Sequence, residues 1–262
     1  MQCKYKNKLI STLVVAGLSW GGLVASSRGA VVVWDFPTDI TGDSDVSLEG
    51  AFVAAYNIGD TGVTGATVNG VTFDPFEIPN DTYGAVAHGD FRVVSQFLYS
   101  LPTVTNADFS SPNAPFTSLS ADYQHMLSAG ASSTLFKYFM LELGGLTVGQ
   151  EYAVQLWAND SSLAYGGTEF IVFDDNEFDL GDATLDPNTT NTDGGTGQFV
   201  IGKFIAGDVT QYIGIGESVY FAGPDIGVPI LNSFQLRAVP EPTSLGLLAV
   251  GVVLGLRRQS LR

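Results

Sequence analysis

Short segments in which hydrophobic and polar residues alternate recur along the chain, and turns rich in Gly, Asp and Asn separate them. The clearest segment is residues 152–159, where Tyr152, Val154 and Leu156 share one face of a strand, because successive side chains of a strand point to opposite faces. Short strands at this spacing, with no parallel βαβ rhythm, predict an all-β fold, a jelly-roll-like β-sandwich. The predicted strands are residues 30–36, 51–57, 67–73, 135–143, 152–159, 169–173, 198–204, 211–215 and 230–237.

Three local features refine this pattern. Asn69-Gly70 is typical of a hairpin turn. Residues 91–99 fit either a strand or a short helix. One short helix is predicted to begin at Ser120, a good N-cap, and Gly130 is expected to end it. The apolar face of that helix is predicted to be Tyr123, Met126 and Leu127.

The N-terminus has the features of a secretory signal peptide. Lys4, Lys6 and Lys8 precede an apolar stretch, and small residues follow it. We therefore assign residues 1–30 to a signal peptide that is cleaved between Ala25 and Ala30. The only cysteine, Cys3, lies in this segment, so the mature protein is expected to lack thiols and disulfides.

The C-terminus, residues 238–262, has three parts in a fixed order. Val239-Pro240-Glu241-Pro242 is followed by an uncharged apolar run over residues 245–256, and then by Arg257 and Arg258. A helix over residues 243–256 would rise about 21 Å, which is short of a hydrocarbon core of about 30 Å. The three parts resemble the PEP-CTERM sorting signal of exported bacterial proteins.

The resemblance implies a route for the protein. A secretion translocon exports the chain, the tail enters the membrane, and an exosortase-type enzyme removes the tail. The arginines are expected to stay on the cytoplasmic side. The destination is then the cell surface or the extracellular matrix. An ordinary C-terminal membrane anchor is the alternative. Either way, residues 31–237 form the folded body.

Charge restricts what the body can bind. All 27 acidic residues lie between Asp35 and Glu241, whereas only four of the 11 basic residues lie there, which leaves a net charge of −23 for residues 31–242. The four basic residues are Arg92, Lys137, Lys203 and Arg237. Nucleic acid is therefore excluded as a partner, because phosphate binding needs a basic surface.

The body has a second family resemblance. Residues 145–160, with residues 230–237 as a last strand, resemble a malectin-like or galactose-binding-like sandwich, and such domains often bind carbohydrate. The candidate polysaccharide contact is Trp157 with Gln155 and Asn159 on one strand face, since sugar rings stack on aromatic side chains. The alternative is that Trp157 points into the core, because buried aromatics are common core material.

Candidate metal ligands are concentrated in one acidic turn. Asp174, Asp175, Asp179 and Asp182 lie close together in the sequence, and flexible oxygen ligands suit Ca²⁺. The alternating spacing of an EF-hand is absent, so a solvated turn is the competing interpretation.

No nucleophile or zinc motif is present, and His88 and His125 show no ligand spacing. We predict a non-catalytic structural, adhesion or polysaccharide-binding protein. A secreted polysaccharide hydrolase or lyase is the alternative.

Overall fold

The computed structural model describes residues 29–240, except residues 81, 96–99, 102, 106–110, 112, 115, 117, 133–137, 163–169, 174–182 and 218–228. Residues 1–28 of the signal segment and residues 241–262 of the tail lie outside the described residues. The acidic turn with Asp174, Asp175, Asp179 and Asp182 does so as well.

The described residues are mostly β-strands with one short helix, as predicted. The strands of the first half are β1 (Val33–Trp34), β2 (Thr38–Asp39), β3 (Ala51–Gly59), β4 (Ala66–Val68), β5 (Val71–Glu77), β6 (Thr82–Tyr83), β7 (Ala85–His88), β8 (Phe91–Ser95), β9 (Ser100–Leu101) and β10 (Thr103–Thr105). The helix α1 spans Ala121–Leu127, and a 3₁₀ turn spans Asp43–Asp45. The strands of the second half are β11 (Ala129–Ser132), β12 (Tyr138–Leu143), β13 (Glu151–Ala158), β14 (Phe170–Phe173), β15 (Ala183–Leu185), β16 (Gln198–Ile205), β17 (Gln211–Glu217), β18 (Ile230–Leu231) and β19 (Ser233–Ala238).

Two large sheets organise these strands, and neither closes on itself. The larger sheet has the order β1–β16–β13–β19–β3–β5–β4, with β2 also pairing β16. The smaller has the order β15–β14–β17–β12–β8–β7. Buried side chains of β3, β19, β13 and β16 share one hydrophobic core with buried side chains of β12, β17, β14 and β15. The last strand, β19, is central, because it pairs with both β13 and β3.

The main core lies between the two sheets. It contains Phe139 and Leu141 of the smaller sheet, and Val154, Leu156 and Phe234 of the larger. The period-2 pattern of β13 therefore places Tyr152, Val154 and Leu156 inward, as the sequence predicts.

A second core covers part of the outer face of the larger sheet. Helix α1 supplies Tyr123, Met126 and Leu127, all buried, and the Oγ of Ser120 accepts a hydrogen bond of 3.1 Å from the Tyr123 amide. The predicted cap and apolar face are thus confirmed. The predicted end of the helix at Gly130 is wrong, because the helix ends at Leu127. Gly130 belongs to the next strand, β11, and pairs there with Val104 of β10.

The structure also tests the predicted hairpin turn and two of the predicted strands. Asn69 and Gly70 have φ of 48° and 75°, and they connect β4 to β5 as a hairpin. Residues 91–95 are a strand, which decides between the two interpretations for that part of residues 91–99. The single strand predicted over residues 230–237 is interrupted at Asn232, whose amide hydrogen bonds to the Trp157 carbonyl.

Candidate functional site

Trp157 lies in the interior of the protein. Its side chain has no exposed surface, its Nε1 donates a 2.9 Å hydrogen bond to the Tyr123 hydroxyl, and its ring packs edge-on against Phe73 at 5.5 Å. The predicted exposed platform for sugar stacking is therefore wrong at this residue. The strand pattern placed Trp157 on the outer face of the sheet, but α1 and β4–β5 cover that part of the face.

Gln155 and Asn159 are also buried. The Gln155 side chain donates to the Asp45 carbonyl at 2.7 Å and accepts from the Ser47 amide at 3.0 Å. The Asn159 side chain accepts from the Gly197 amide at 2.9 Å and donates to the Ser161 hydroxyl at 3.0 Å. Their polar groups hold loops against the sheet, so these two residues do not present a sugar-binding surface.

Asp160 ends the same segment and is fully buried. Its Oδ1 accepts hydrogen bonds from the amide and hydroxyl of Ser162, at 2.9 Å and 2.7 Å. Its Oδ2 has no hydrogen-bond partner among the residues that the structure describes. Burial raises the pKa of Asp160, and the two Ser162 hydrogen bonds oppose the rise. Burial also raises the pKa of Asp186. Asp186 is the neighbour of Pro187, whose carbonyl accepts a hydrogen bond from the Asp160 amide.

The two histidines contact protein groups. The Nε2 of His125 lies 2.9 Å from the Thr64 hydroxyl, and the ring of His88 packs against Phe76 at 4.7 Å. Among the described residues, no group of three or more His, Cys, Asp or Glu side chains is arranged to hold a metal ion. The predicted calcium ligands lie outside that set.

An accessible aromatic and a cation meet instead where β3 begins. Phe52 is 53% exposed and faces Arg237 of β19 in the strand register. The Arg237 guanidinium carbon lies 5.8 Å from the centre of the Phe52 ring, which is within the range of a cation–π contact. The register shifts between Leu236 and Arg237, because Val53 of β3 has no partner on β19, and this bulge in β3 brings Phe52 opposite Arg237.

Backbone carbonyls fix the guanidinium. The Nε of Arg237 donates to the Glu49 carbonyl at 3.0 Å, and its Nη2 donates to the Gly50 carbonyl at 3.0 Å. Gly50 has a φ of 85°, a left-handed conformation that suits glycine. Burial lowers the pKa of Arg237 from its ordinary value, but an arginine remains charged under all physiological conditions.

Phe52 and Arg237 line an open cavity of about 330 Å³, which we call the Phe52 cleft. Leu48, Gly70, Val71, Thr72 and Asp74 form the rest of its lining. The cleft thus combines an exposed ring, a positive charge, a hydroxyl and a carboxylate. Sequence reasoning missed it, although Arg237 is one of only four basic residues in the body and could have drawn attention to it.

The last described residues, Val239 and Pro240, follow Arg237 beside this cleft. The Val239 amide donates to the Glu151 carbonyl at 2.9 Å, and the Val239 carbonyl accepts from the Gln150 side chain at 2.6 Å. Pro240 is exposed. Residues 238–259 match the family model for the PEP-CTERM protein-sorting motif. The chain carries a PEP-CTERM sorting motif.

The PEP-CTERM motif implies an exported protein with a membrane-anchored sorting signal and exosortase-mediated processing. Val239 and Pro240 are described, whereas Glu241, Pro242, Arg257 and Arg258 lie outside the described residues. Within the described part, no helix is long and apolar enough to cross a bilayer.

Comparison with solved structures gives three similar chains, all from Arabidopsis thaliana. They are the ANX2 ectodomain (12% identity, TM-score 0.47, 73% of this chain and 50% of that chain), the ANXUR1 extracellular domain (12%, 0.44, 72% and 48%) and the ANXUR2 extracellular domain (11%, 0.43, 73% and 49%). This chain therefore spans about half the length of each. No curated protein sequence matches the chain significantly.

Proposed function

We propose that this protein is a non-catalytic polysaccharide-binding protein that is sorted to the cell surface or extracellular matrix, and that the Phe52 cleft is its binding site. The observation that carries the proposal is the half-exposed Phe52 ring beside the fixed guanidinium of Arg237. Sugar rings have apolar C–H faces that stack on aromatics, and their hydroxyls need fixed donors and acceptors. Arg237, Thr72 and Asp74 provide these groups around the cleft.

The size and charge of the site favour one class of ligand. A volume of about 330 Å³ lies at the lower end of the range for small-molecule sites, about 300–1,000 Å³. The strongly acidic body repels polyanions at a distance. A neutral polysaccharide is therefore a better ligand than a uronic-acid polymer, even though Arg237 could pair with a carboxylate.

The enzyme alternative has less support. A glycosidase uses two carboxyl groups about 5–9.5 Å apart across the scissile bond. Among the described residues, Asp74 is the only carboxylate that lines the Phe52 cleft, and Asp160 is enclosed. These observations support a binder over a hydrolase.

A second proposal concerns calcium. We propose that Asp174, Asp175, Asp179 and Asp182 bind Ca²⁺, because their sequence spacing supplies several hard oxygen ligands on one turn.

The experiment for the cleft compares Phe52→Ala with Tyr83→Ala. Tyr83 is 68% exposed and lies on β6, away from the cleft, so it is a matched aromatic control. Affinity electrophoresis through a panel of soluble neutral and uronic-acid polysaccharides measures retention, and a reducing-end assay measures product release. We expect Phe52→Ala to weaken retention at least about tenfold, which corresponds to about 1.4 kcal/mol of binding free energy.

The controls separate binding from folding and from catalysis. Phe52→Ala should keep the melting temperature of the wild type, since an exposed substitution usually changes stability by about 0.5 kcal/mol or less. Unchanged retention in Phe52→Ala, or an equal loss in Tyr83→Ala, contradicts the assigned site. Product release that disappears in Asp74→Asn would instead establish the hydrolase or lyase alternative.

A further inference from the structure

Several strand ends meet near Val239 and Pro240, the last residues that the structure describes. Ala238 of β19 pairs with Ala51 at the start of β3 and with Tyr152 of β13, and Glu151 pairs with Ile205 at the end of β16. We call this end of the sandwich the exit end. Ala30, at the predicted signal-peptide cleavage site, also lies here, because its amide donates to the Gln211 side chain at 2.7 Å.

Two turns at the exit end are joined by backbone hydrogen bonds. The Leu146 amide donates to the Val209 carbonyl at 3.0 Å, and the Gly149 amide donates to the Ala206 carbonyl at 2.8 Å. In the opposite direction, the Ala206 amide donates to the Gln150 carbonyl at 2.9 Å. The side chain of Gln150 donates a hydrogen bond to the Val239 carbonyl. The turns and the exit point of the chain therefore form one fixed unit.

This unit exposes three aliphatic side chains. Val148 is 59% exposed, Ile205 is 62% exposed and Val209 is 56% exposed. We call these three residues the exit rim. Their apolar surfaces meet water near the start of the PEP-CTERM motif, whereas Leu146, in the same turn as Val148, is buried.

The length of the tail limits how far the exit rim can lie from the bilayer. From Pro240 to Leu245, where the apolar run begins, the extended chain spans at most about 18 Å. While the run is in the membrane, the exit end is held within that distance of it. Tethering raises the effective concentration of the rim at the bilayer surface, so even a weak contact becomes populated.

Charge decides the nature of that contact. The acidic body is repelled by anionic headgroups, and at the exit end Lys203 is paired with Glu49 at 3.4 Å. A contact between the exit rim and a bilayer would therefore depend on apolar burial, which salt does not screen.

We propose that Val148, Ile205 and Val209 contact the bilayer surface while the sorting tail is inserted, and so orient the exit end of the body towards the membrane. This inference rests on the membrane-anchored tail of the proposed function. It adds a second membrane contact, made by the folded body itself.

The experiment places an environment-sensitive fluorophore on the exit rim. The exported chain with its tail is purified from a host without the processing enzyme, in a Cys3→Ser background, and reconstituted into phosphatidylcholine vesicles. Val148→Cys carries the fluorophore in one sample. In the control, Tyr83→Cys carries the fluorophore, since Tyr83 is 68% exposed. Tyr83 belongs to the opposite end of the sandwich, where the amide of its neighbour Gly84 donates a hydrogen bond to the Ser95 hydroxyl. Vesicle flotation reports insertion of the tail, and quenching by lipids with a shallow spin label reports contact of the rim.

We expect both samples to float and only the Val148→Cys label to be quenched, at least about twofold more than the control and equally at low and high salt. Adding Ile205→Ser and Val209→Ser should reduce this quenching towards the control level without loss of flotation. Flotation with equal quenching at the two positions overturns the rim contact but leaves the sorting proposal intact. Absence of flotation overturns the membrane step and the rim contact together. Quenching that salt abolishes overturns the apolar mechanism.

Discussion

At the scale of single residues, the covering of a sheet face decides what a strand pattern means. Alternation correctly separates Val154 and Leu156 from Gln155 and Trp157, but both sets are buried. Alternation cannot tell whether a second layer covers the outer face. That layer comes from residues distant in sequence, such as Tyr123, which bonds to Trp157 across 34 positions.

The burial of Trp157 leads to a stability prediction. Trp157→Ala should lower the free energy of unfolding by about 3–5 kcal/mol, because it leaves a cavity and removes the hydrogen bond to Tyr123. Urea denaturation measures the change. Phe36→Ala, at a residue that is 93% exposed, is the control and should stay within about 0.5 kcal/mol of the wild type. A Trp157→Ala protein with wild-type stability would show that the second core is not formed.

Asp160 gives a prediction about pH. Burial raises its pKa in the folded protein above the ordinary aspartate value of 3.8, so the folded state holds this proton more tightly than the unfolded state does. The contribution of this group to stability is therefore complete below pH 3.8 and declines as the pH rises through the folded pKa. Asp160→Asn removes that decline, so the variant should gain stability relative to the wild type as the pH rises to neutrality.

Thermal melting at a series of pH values measures this gain. The relevant quantity is the difference in melting temperature between Asp160→Asn and the wild type, because other carboxyl groups titrate in both proteins. Asp35→Asn, at an exposed position, serves as the control. A difference for Asp160→Asn that is the same at acidic and neutral pH would contradict a raised pKa.

At the scale of elements, local signals in the sequence are reliable and distant pairings are not. Ser120 and the apolar residues of α1 lie within one segment, so capping and helical period define them together. The Asn69-Gly70 turn is equally local. The Phe52 cleft could not be predicted, because Phe52 and Arg237 come together only through the pairing of β3 with β19 and the bulge in that pairing.

The role of the acidic segment with Asp174, Asp175, Asp179 and Asp182, which the sequence predicts to be a turn, can be tested by a melting experiment. If Ca²⁺ binds only the folded protein, it should raise stability by about 2.7 kcal/mol at a hundredfold excess over Kd. Melting curves with Ca²⁺ and with a chelator measure the shift. Asp175→Ala combined with Asp179→Ala should abolish it. A shift that survives this double substitution would place the calcium elsewhere.

At the scale of the whole molecule, the PEP-CTERM motif and the N-terminal segment predict a mature protein shorter than its precursor. Intact mass spectrometry of protein from the native host should give a main species that lacks two segments. These are the signal peptide, cleaved between Ala25 and Ala30, and the apolar run of the tail. Replacing Pro240 and Pro242 by Ala should cause the tail to be retained. A main species that keeps residues 245–262 in the wild type would contradict removal of the tail.

The central position of β19 also has a consequence in time. A chain that is threaded unfolded through a membrane from its N-terminal end exposes β3 and β13 long before the strand that must pair with both of them. Until residues 233–238 have crossed the membrane, the larger sheet has a gap at its centre. The residues that emerge next are Val239 and Pro240, at the start of the PEP-CTERM motif. Completion of the fold and presentation of the motif therefore nearly coincide, and only a chain that has folded holds Val239 by its hydrogen bonds to Glu151 and Gln150.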